Sequence, residues 1–168
     1  MNATSDVSIR RAQADDAARI AEIFNQGLED RVATFETRQA TRERAEEWIS
    51  ESLVLVLDTG ETIAGWAKAG PYTEDHAYYE GVREATLYVA RESRRDGVGR
   101  TLLDELADQA AADGAHKLVG KIFTSNEPSI ALVRGLGWRE VGTHLRHGEL
   151  DGQWKDVLVV EKLLDPSD

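Results

Sequence analysis

The middle of the chain narrows the possible folds more than any other part. An apolar run, "EATLYVA" from Glu84, is followed by a glycine-containing turn, a helical pattern from Gly99 to Asp113 and a second apolar run, "KLVGKIF" from Lys117. Two strands joined by one helix lie parallel in a sheet, because the crossover returns the chain to the end where the first strand began. The sequence therefore predicts an α/β domain with at least one parallel strand pair.

The flanking segments extend this pattern on both sides. We expect a strand at "VSIRRA", helices at "DDAARIAEIFNQGLED" and "RERAEEWISESL", and a hairpin from "LVLVL" to "TIAGWAKAG" around "DTGE". A helix at "TSNEPSIALVRGLG" and a hairpin from "WREVGTHL" to "WKDVLVVEKLL" follow the parallel unit. The predicted order is βααβββαβαββ, a mixed central sheet of about seven strands flanked by helices. We expect one domain over residues 1–168, with helix caps at Asp15 or Asp16 and at Thr41, Pro128 near a helix start, and helix stops at Gly114 and Gly137.

Composition excludes several classes of function. The 20 Lys and Arg stand against 31 Asp and Glu, and the net charge of −11 disfavours general binding to nucleic acid or to an anionic membrane. The absence of cysteine excludes disulfides, thiolate nucleophiles and Cys-ligated zinc. The start of the sequence has no apolar core typical of a signal peptide, and "LVLVL" is too short to span a bilayer. We expect a soluble, cytoplasmic protein.

The turn between the parallel strands carries "RESRRDGVGR", from Arg91 to Arg100, where four arginines stand against Glu92 and Asp96. A helix N-terminus offers unpaired N–H groups and positive dipole charge, and glycine allows a ligand to approach the backbone. The turn therefore indicates a phosphate site, with a glycine-rich turn and solvated arginines as the alternative. The dinucleotide fingerprint fails because Leu102 stands where a third glycine is required, and the Lys-Ser/Thr pair of the P-loop is absent.

The same turn resembles a known signature. Arg94, Gly97 and Gly99 match the Arg-x-x-Gly-x-Gly motif of the GCN5-related N-acetyltransferase (GNAT) superfamily, and "GLGW" follows at the expected distance. The resemblance implies that acetyl-CoA is the cosubstrate and that backbone N–H groups of this loop hold its pyrophosphate.

A closer resemblance covers nearly the whole chain. The segments "IRRAQADDAARIAEIFNQGLEDRVATFET", "EATLYV" and "HGELDGQWKDVLVVEKLL" are similar to the phosphinothricin acetyltransferase family, the last segment to its arsinothricin-resistance branch. That family acetylates the α-amino group of glutamate analogues such as phosphinothricin, methionine sulfoximine or arsinothricin. The resemblance implies a homodimer and a small-molecule amine substrate.

The resemblance also assigns roles to individual residues. Glu84 matches the proposed general base, which the chemistry needs because an α-amino group with a pKa near ~8 is mostly ammonium at pH 7. Asn126 matches an asparagine that contacts the cofactor arm, while its alternative role is to cap the helix at Pro128; both roles are compatible. The other implied cofactor residues are Leu87, Tyr88, Val89, Arg94, Arg95, Asp96, Gly97, Val98, Gly99 and Arg100, and the implied substrate residues are Thr34, Phe35, Glu36 and Tyr78.

Two departures from the family pattern leave alternatives open. Val133 stands where relatives carry a histidine or tyrosine that protonates the departing thiolate. Asp75 stands where an arginine would bind the substrate's anionic group, and Arg31, Lys68, His76 and Arg83 are the alternatives for that role. The rival functions are acetylation of another amine, such as a polyamine, and a catalytically weak acyl-CoA-binding or interaction module.

One further pattern, a pair of histidines, has the spacing of some metal ligands. His144 and His147 form H-x-x-H, but we expect no metal there, because side chains on a strand-to-turn segment do not converge as they do at helical spacing.

Overall fold

The computed structural model describes residues 6–73 and 76–165, and its elements follow the predicted order. Across the described residues, seven strands form one sheet in the order β1-β2-β3-β4-β5-β7-β6. The strands are β1 (Ser8–Arg11), β2 (Leu53–Asp58), β3 (Ile63–Pro71), β4 (Val82–Val89), β5 (Lys117–Phe123), β6 (Arg139–Leu150) and β7 (Gln153–Leu163). The helices are α1 (Ala17–Glu29), α2 (Arg42–Glu51), α3 (Val98–Ala112) and α4 (Glu127–Gly135).

The predicted parallel pair is β4 and β5, and it is short. Val82 pairs with Lys117, and Glu84, the last paired residue of β4, lies opposite Val119. Beyond this point the two strands separate, although β4 stays paired with β3 up to Val89. The other strand neighbours are antiparallel. The separation opens a gap in the centre of the sheet, between the C-terminal ends of β4 and β5.

Helices cover the two faces of the sheet. Leu102 and Leu106 of α3 are fully buried against one face, in the same cluster as Leu55 of β2. Ile20 and Phe24 of α1 pack on the other face against a cluster that includes Trp66 of β3 and Tyr88 of β4. Alternate residues of a strand point to opposite faces of the sheet. Because the successive residues of β2, β3 and β4 are mostly apolar, these strands contribute to both clusters.

The two helix caps expected in the first third of the chain have different outcomes. Thr41 caps α2 as expected, since its hydroxyl oxygen accepts a hydrogen bond from Arg44 N–H at 3.2 Å. Asp16 is the N-cap residue of α1, one of the two expected, but its side chain does not cap the helix: its carboxylate accepts from Arg10 at 2.8 Å and from Gln13 N–H at 2.7 Å. The guanidinium on the neighbouring strand is the stronger partner for a carboxylate than a helix N–H.

In the described part of the chain, no helix has the length and apolarity needed to cross a bilayer.

Candidate active site

The gap between β4 and β5 forms a cleft of about 540 Å³. Ala90 N–H donates to the Ala64 carbonyl at 2.8 Å, just after β4. This bond shows which residues of β4 direct their backbone groups towards β3, namely every second one counted back from Ala90. By the alternation of an antiparallel ladder, the backbone groups of Leu87 and Val89 point away from β3, towards the gap that β5 has left. An extended ligand in the gap can therefore pair with β4 as an added strand would.

The arginine and glycine loop lies between β4 and the N-terminus of α3. Gly97 has φ of +79°, the left-handed region in which glycine is favoured, and no side chain caps the helix. The first helical hydrogen bond runs from Thr101 N–H to the Gly97 carbonyl at 3.1 Å. The N–H groups of the three residues between them therefore precede the helical ladder, and this is an anion-binding arrangement.

The four arginines of this loop differ in whether they form ion pairs. Arg91 and Arg94 pair with Asp30, immediately after α1, at 3.0 and 2.7 Å. In the described chain no ion pair engages Arg95 or Arg100, which flank the exposed Asp96. The positive charge expected from four arginines is thus partly neutralised by α1, and Arg95 and Arg100 are left for an outside anion.

Glu84 lies where the cleft meets the face that α1 and α2 cover. Its carboxylate lines the cleft, with one oxygen 3.5 Å from Lys121 Nζ. The side chain is about a third exposed, at 35%. Because Glu84 is the last residue of β4 that pairs with β5, its carboxylate is held by regular sheet at the point where the strands separate. A carboxylate so placed can accept a proton from a molecule in the cleft.

The loop after α1 closes this side of the cleft. Thr34, Phe35 and Glu36 all line it, as expected. Thr34 shares a hydrogen bond with the Tyr88 hydroxyl, while burial raises the pKa of Tyr88 to about 12. The ring of Phe35 packs edge-on against Phe123, with 4.8 Å between centroids. These contacts hold the loop against β4 and β5.

Asn126 joins the two sides of the cleft. Its side-chain oxygen accepts from Ser129 N–H at 3.4 Å, which confirms the expected helix cap. Its side-chain nitrogen donates to the Val32 carbonyl at 3.2 Å, in the loop after α1. Asn126 also lines the cleft, so capping leaves it in position to contact a ligand.

Tyr78 does not join this group. The structure gives it 71% exposure and stacks its ring on His76 at 5.0 Å, and it is absent from the described lining of the cleft. It lies in a single 3-10 turn before β4, which directs it outward. Its expected contact with the substrate stays a prediction that the cleft lining does not support. Asp75, the other departure noted near this turn, lies outside the described residues.

Lys68 is the one of the four alternatives to the missing arginine that lines the described cleft. Arg31 instead pairs with Asp151 at 3.2 Å, and Arg83 donates to the Glu80 carbonyl at 3.1 Å. His76 stacks on Tyr78, away from the cleft. The strand alternation from Trp66 could have indicated that Lys68 shares a face with a buried aromatic residue.

Sequence reasoning missed Lys121 and His147 as residues of this site. Both line the cleft.

The rings of His147 and His144 stack with centroids 4.2 Å apart, so the expectation that they do not converge is wrong. A bulge between His144 and Gly148, with Arg146 at φ of +48°, turns β6 and brings the rings together. In residues 6–73 and 76–165 no group of three or more His, Cys, Asp or Glu is arranged to hold a metal.

Val133 is buried and contributes to the cleft wall from α4. Its side chain has no proton to give, so a thiolate leaving beside it receives none from this position.

Comparison with known proteins places this geometry in a family. The acetyltransferase (GNAT) family model matches residues 18–138, which include β4, the arginine and glycine loop, α3 and β5. Phosphinothricin N-acetyltransferase of Streptomyces viridochromogenes is 35% identical over 158 residues, covering 90% of this chain and 84% of the relative. L-Methionine sulfoximine/L-methionine sulfone acetyltransferase of Pseudomonas paraeruginosa is 27% identical over 166 residues, covering 95% of this chain and 96% of the relative.

A solved structure agrees with both relatives. The GNAT superfamily phosphinothricin acetyltransferase from Sinorhizobium meliloti, in complex with acetyl-CoA, matches with a TM-score of 0.86 and 27% identity, covering 94% of this chain and 88% of that one. The fold class, the family and acetyl-CoA as cosubstrate expected from the sequence are confirmed. This chain belongs to the acetyltransferase (GNAT) family and is an acetyl-CoA-dependent N-acetyltransferase of the phosphinothricin acetyltransferase-like group.

Proposed function

We propose that this enzyme transfers the acetyl group of acetyl-CoA to the α-amino group of a small amino acid of the phosphinothricin or methionine sulfoximine type. The observation that carries the proposal is the position of the Glu84 carboxylate in the cleft between β4 and β5. The relatives named for phosphinothricin and methionine sulfoximine support the choice of substrate class.

The cosubstrate would occupy the gap in the sheet. Its pyrophosphate would lie at the N-terminus of α3, where Gly97 leaves the backbone open and Arg95 and Arg100 supply charge. Its amide-containing arm would pair with Leu87 and Val89 in the manner of an added strand. This orientation directs the thioester towards Glu84 and Asn126, which line the cleft.

The chemistry then needs a free amine. The substrate's ammonium group loses a proton to Glu84, directly or through a water molecule, and the amine attacks the thioester carbonyl. Backbone N–H groups of β4 stabilise the negative oxygen of the tetrahedral intermediate. The carbon–sulfur bond breaks and CoA leaves as a thiolate, whose pKa near ~8.5 makes departure without an acid at Val133 feasible. The attacking nitrogen then loses its second proton to this thiolate or to water, which gives the neutral amide. No covalent enzyme intermediate is needed, which suits a chain without cysteine.

We further propose a homodimer. Among the described strands, β6 lies at the end of the sheet with one edge unpaired, and it is exposed along most of its length. Val141 and Leu145 of β6 are exposed, as is Trp154 of β7. An unprotected edge beside apolar side chains is a typical site of association. Sedimentation equilibrium checks this assignment, and a monomer at micromolar concentration would contradict it.

The proposed reaction also implies a place and a role. Acetyl-CoA is an intracellular metabolite, so we place the enzyme in the cytoplasm. Acetylation removes the α-ammonium charge by which a toxic glutamate analogue would be recognised, so we assign the enzyme a role in resistance to such compounds.

Thiol release from acetyl-CoA tests the substrate class. Purified protein is assayed against phosphinothricin, methionine sulfoximine, arsinothricin, glutamate and spermidine, with a reaction lacking amine as the blank. The proposal expects turnover on at least one amino acid analogue, with the N-acetyl product identified by mass. Turnover on spermidine alone would assign the enzyme to polyamines, and the blank rate throughout would favour an acyl-CoA-binding module.

A further inference from the structure

Lys68 occupies an unusual position for a lysine. It lies on β3, opposite Thr86 of β4, while the next β3 residue on the same face, Gly70, lies opposite Glu84. Lys68 and Glu84 are therefore diagonal neighbours on one face of the sheet, within reach of a single small molecule. The ammonium nitrogen also lies 5.2 Å from the centre of the Trp48 ring, on the floor of the cleft below α2.

Lys68 makes no close ion pair with a carboxylate in the described part of the chain, although Glu84 and Glu51 lie near enough to act on its charge. In the described chain no salt bridge engages Lys68, whereas Lys117 pairs with Glu161 at 2.9 Å and Lys121 with Glu84 at 3.5 Å. Burial, together with the nearby Arg44, lowers the pKa of Lys68 and outweighs the opposite effect of the Glu84 and Glu51 carboxylates. A half-buried ammonium group with no carboxylate in direct contact is unfavourable, and an anion entering the cleft would stabilise it.

We propose that Lys68 is the specificity-determining residue that binds an anionic group of the amino-acid substrate, an inference that rests on the proposed function. An amino acid whose amine meets Glu84 carries its carboxylate two bonds from that nitrogen, and its side-chain anion a few bonds further. Either group reaches across one strand spacing to Lys68. The shared chemistry is a carboxylate or phosphinate oxygen accepting hydrogen bonds from the ammonium group.

The other cationic residues considered for anion binding already have partners. Arg31 and Arg83 are engaged outside the cleft, as described above. Lys121 lies beside Glu84 and balances the charge of that carboxylate. A polyamine in the same position would bring a second cation against Lys68, so the same residue disfavours that substrate.

The test compares Lys68→Gln and Lys68→Arg with Lys162→Gln, which removes a lysine on the opposite face of the sheet. For Lys68→Gln we expect the KM of the amino-acid substrate to rise about tenfold or more, as for loss of a charge-assisted hydrogen bond, with kcat and the KM of acetyl-CoA within about twofold. Lys68→Arg should recover part of the affinity because it keeps the charge. Lys162→Gln should leave both KM values unchanged.

Two substrates distinguish the anionic group. If Lys68 binds the α-carboxylate, its removal affects phosphinothricin and methionine sulfoximine alike, and the α-carboxamide of either compound loses the dependence on Lys68. If Lys68 binds the side-chain anion, removal affects phosphinothricin and spares methionine sulfoximine, whose side chain is neutral. Both results support the proposal. Equal KM values for Lys68→Gln and the unchanged enzyme on both substrates would overturn it.

Binding without turnover separates this inference from the proposed function. If the unchanged enzyme acetylates no amino acid, the proposed function fails, and calorimetry with N-acetylglutamate in the presence of CoA still tests Lys68. Binding that is lost in Lys68→Gln and kept in Lys162→Gln supports the anion site. Absent binding to the unchanged enzyme, or equal binding to the Lys68→Gln variant, overturns it.

Discussion

The guanidinium of Arg94 lies 2.7 Å from the carboxylate of Asp30, so the loop that precedes α3 is tied to the end of α1. Arg91 reaches the same carboxylate at 3.0 Å. Arg94 therefore supports the backbone of this loop through its ion pair with Asp30. The exposed N–H groups after Gly97 depend on that backbone being held in place.

Asp30→Asn tests this support. Loss of the carboxylate charge weakens both arginine contacts, and we expect the KM of acetyl-CoA to rise about threefold to tenfold because the loop is less preorganised. The kcat at saturating acetyl-CoA should change little. Initial-rate kinetics provide the measurement, and Asp113→Asn, which breaks the surface pair with Arg11, is the matched control. An unchanged or lower KM in Asp30→Asn would show that the loop does not need the pair.

Gly27 and Gly135 form a matched pair of helical glycines with opposite surroundings. A Cβ at Gly27 would lie 2.8 Å from the Tyr88 ring, whereas a Cβ at Gly135 has no atom within 4 Å. We expect Gly27→Ala to reduce the free energy of unfolding by about 1–3 kcal/mol through overpacking. Gly135→Ala should raise it by about 0.4–1 kcal/mol through the lower entropy of the unfolded chain. Urea denaturation measures both, and equal effects would contradict the packing of α1 on β4.

Asp16 gives a prediction about pH. The Arg10 guanidinium holds the pKa of Asp16 below its usual range, so the ionised carboxylate stabilises the fold above the pKa it has in the unfolded chain, ~3.9. That stabilisation is lost as the pH falls through the lower, folded-state pKa. At pH 7, Asp16→Asn should reduce the free energy of unfolding by about 1.5–3 kcal/mol.

The fall in stability at low pH, called the acid limb, tests the role of Asp16. Unfolding measured from pH 7 down to pH 2 should show a smaller loss of stability in Asp16→Asn than in the unchanged protein, because the variant has no proton to bind there. Asp113→Asn, in an exposed pair, should follow the unchanged protein closely. Parallel acid limbs for all three proteins would refute the role given to Asp16.

Sequence patterning anticipated the element order and the glycine turn before α3 because both depend on local signals. The parallel unit was indicated by two apolar runs around one helical pattern, and Gly97 marked the turn before α3. Thr34, Phe35 and Glu36 were implied by resemblance and do line the cleft. What local patterns could not give was contact across strands, such as the pairing of Arg94 with Asp30.

The remaining differences have the same origin. Tyr78 was assigned to the site from its motif, but the turn before β4 directs it outward. His144 and His147 stack because of a bulge that a two-residue alternation does not reveal. Lys68 was one of four alternatives, and the sheet register places it diagonal to Glu84, which the sequence could not show. Long-range register and irregular backbone, both set by tertiary packing, decide these positions.

The steady-state rate of Glu84→Gln, measured on the best amine with acetyl-CoA affinity determined in parallel, tests the central claim most directly. Loss of the base should lower kcat about 10²–10⁴-fold at pH 7, while the affinity for acetyl-CoA stays within about twofold. Glu80→Gln, which removes an exposed carboxylate just before β4, should keep the full rate. A kcat for Glu84→Gln within about twofold of the unchanged enzyme would remove Glu84 from the mechanism.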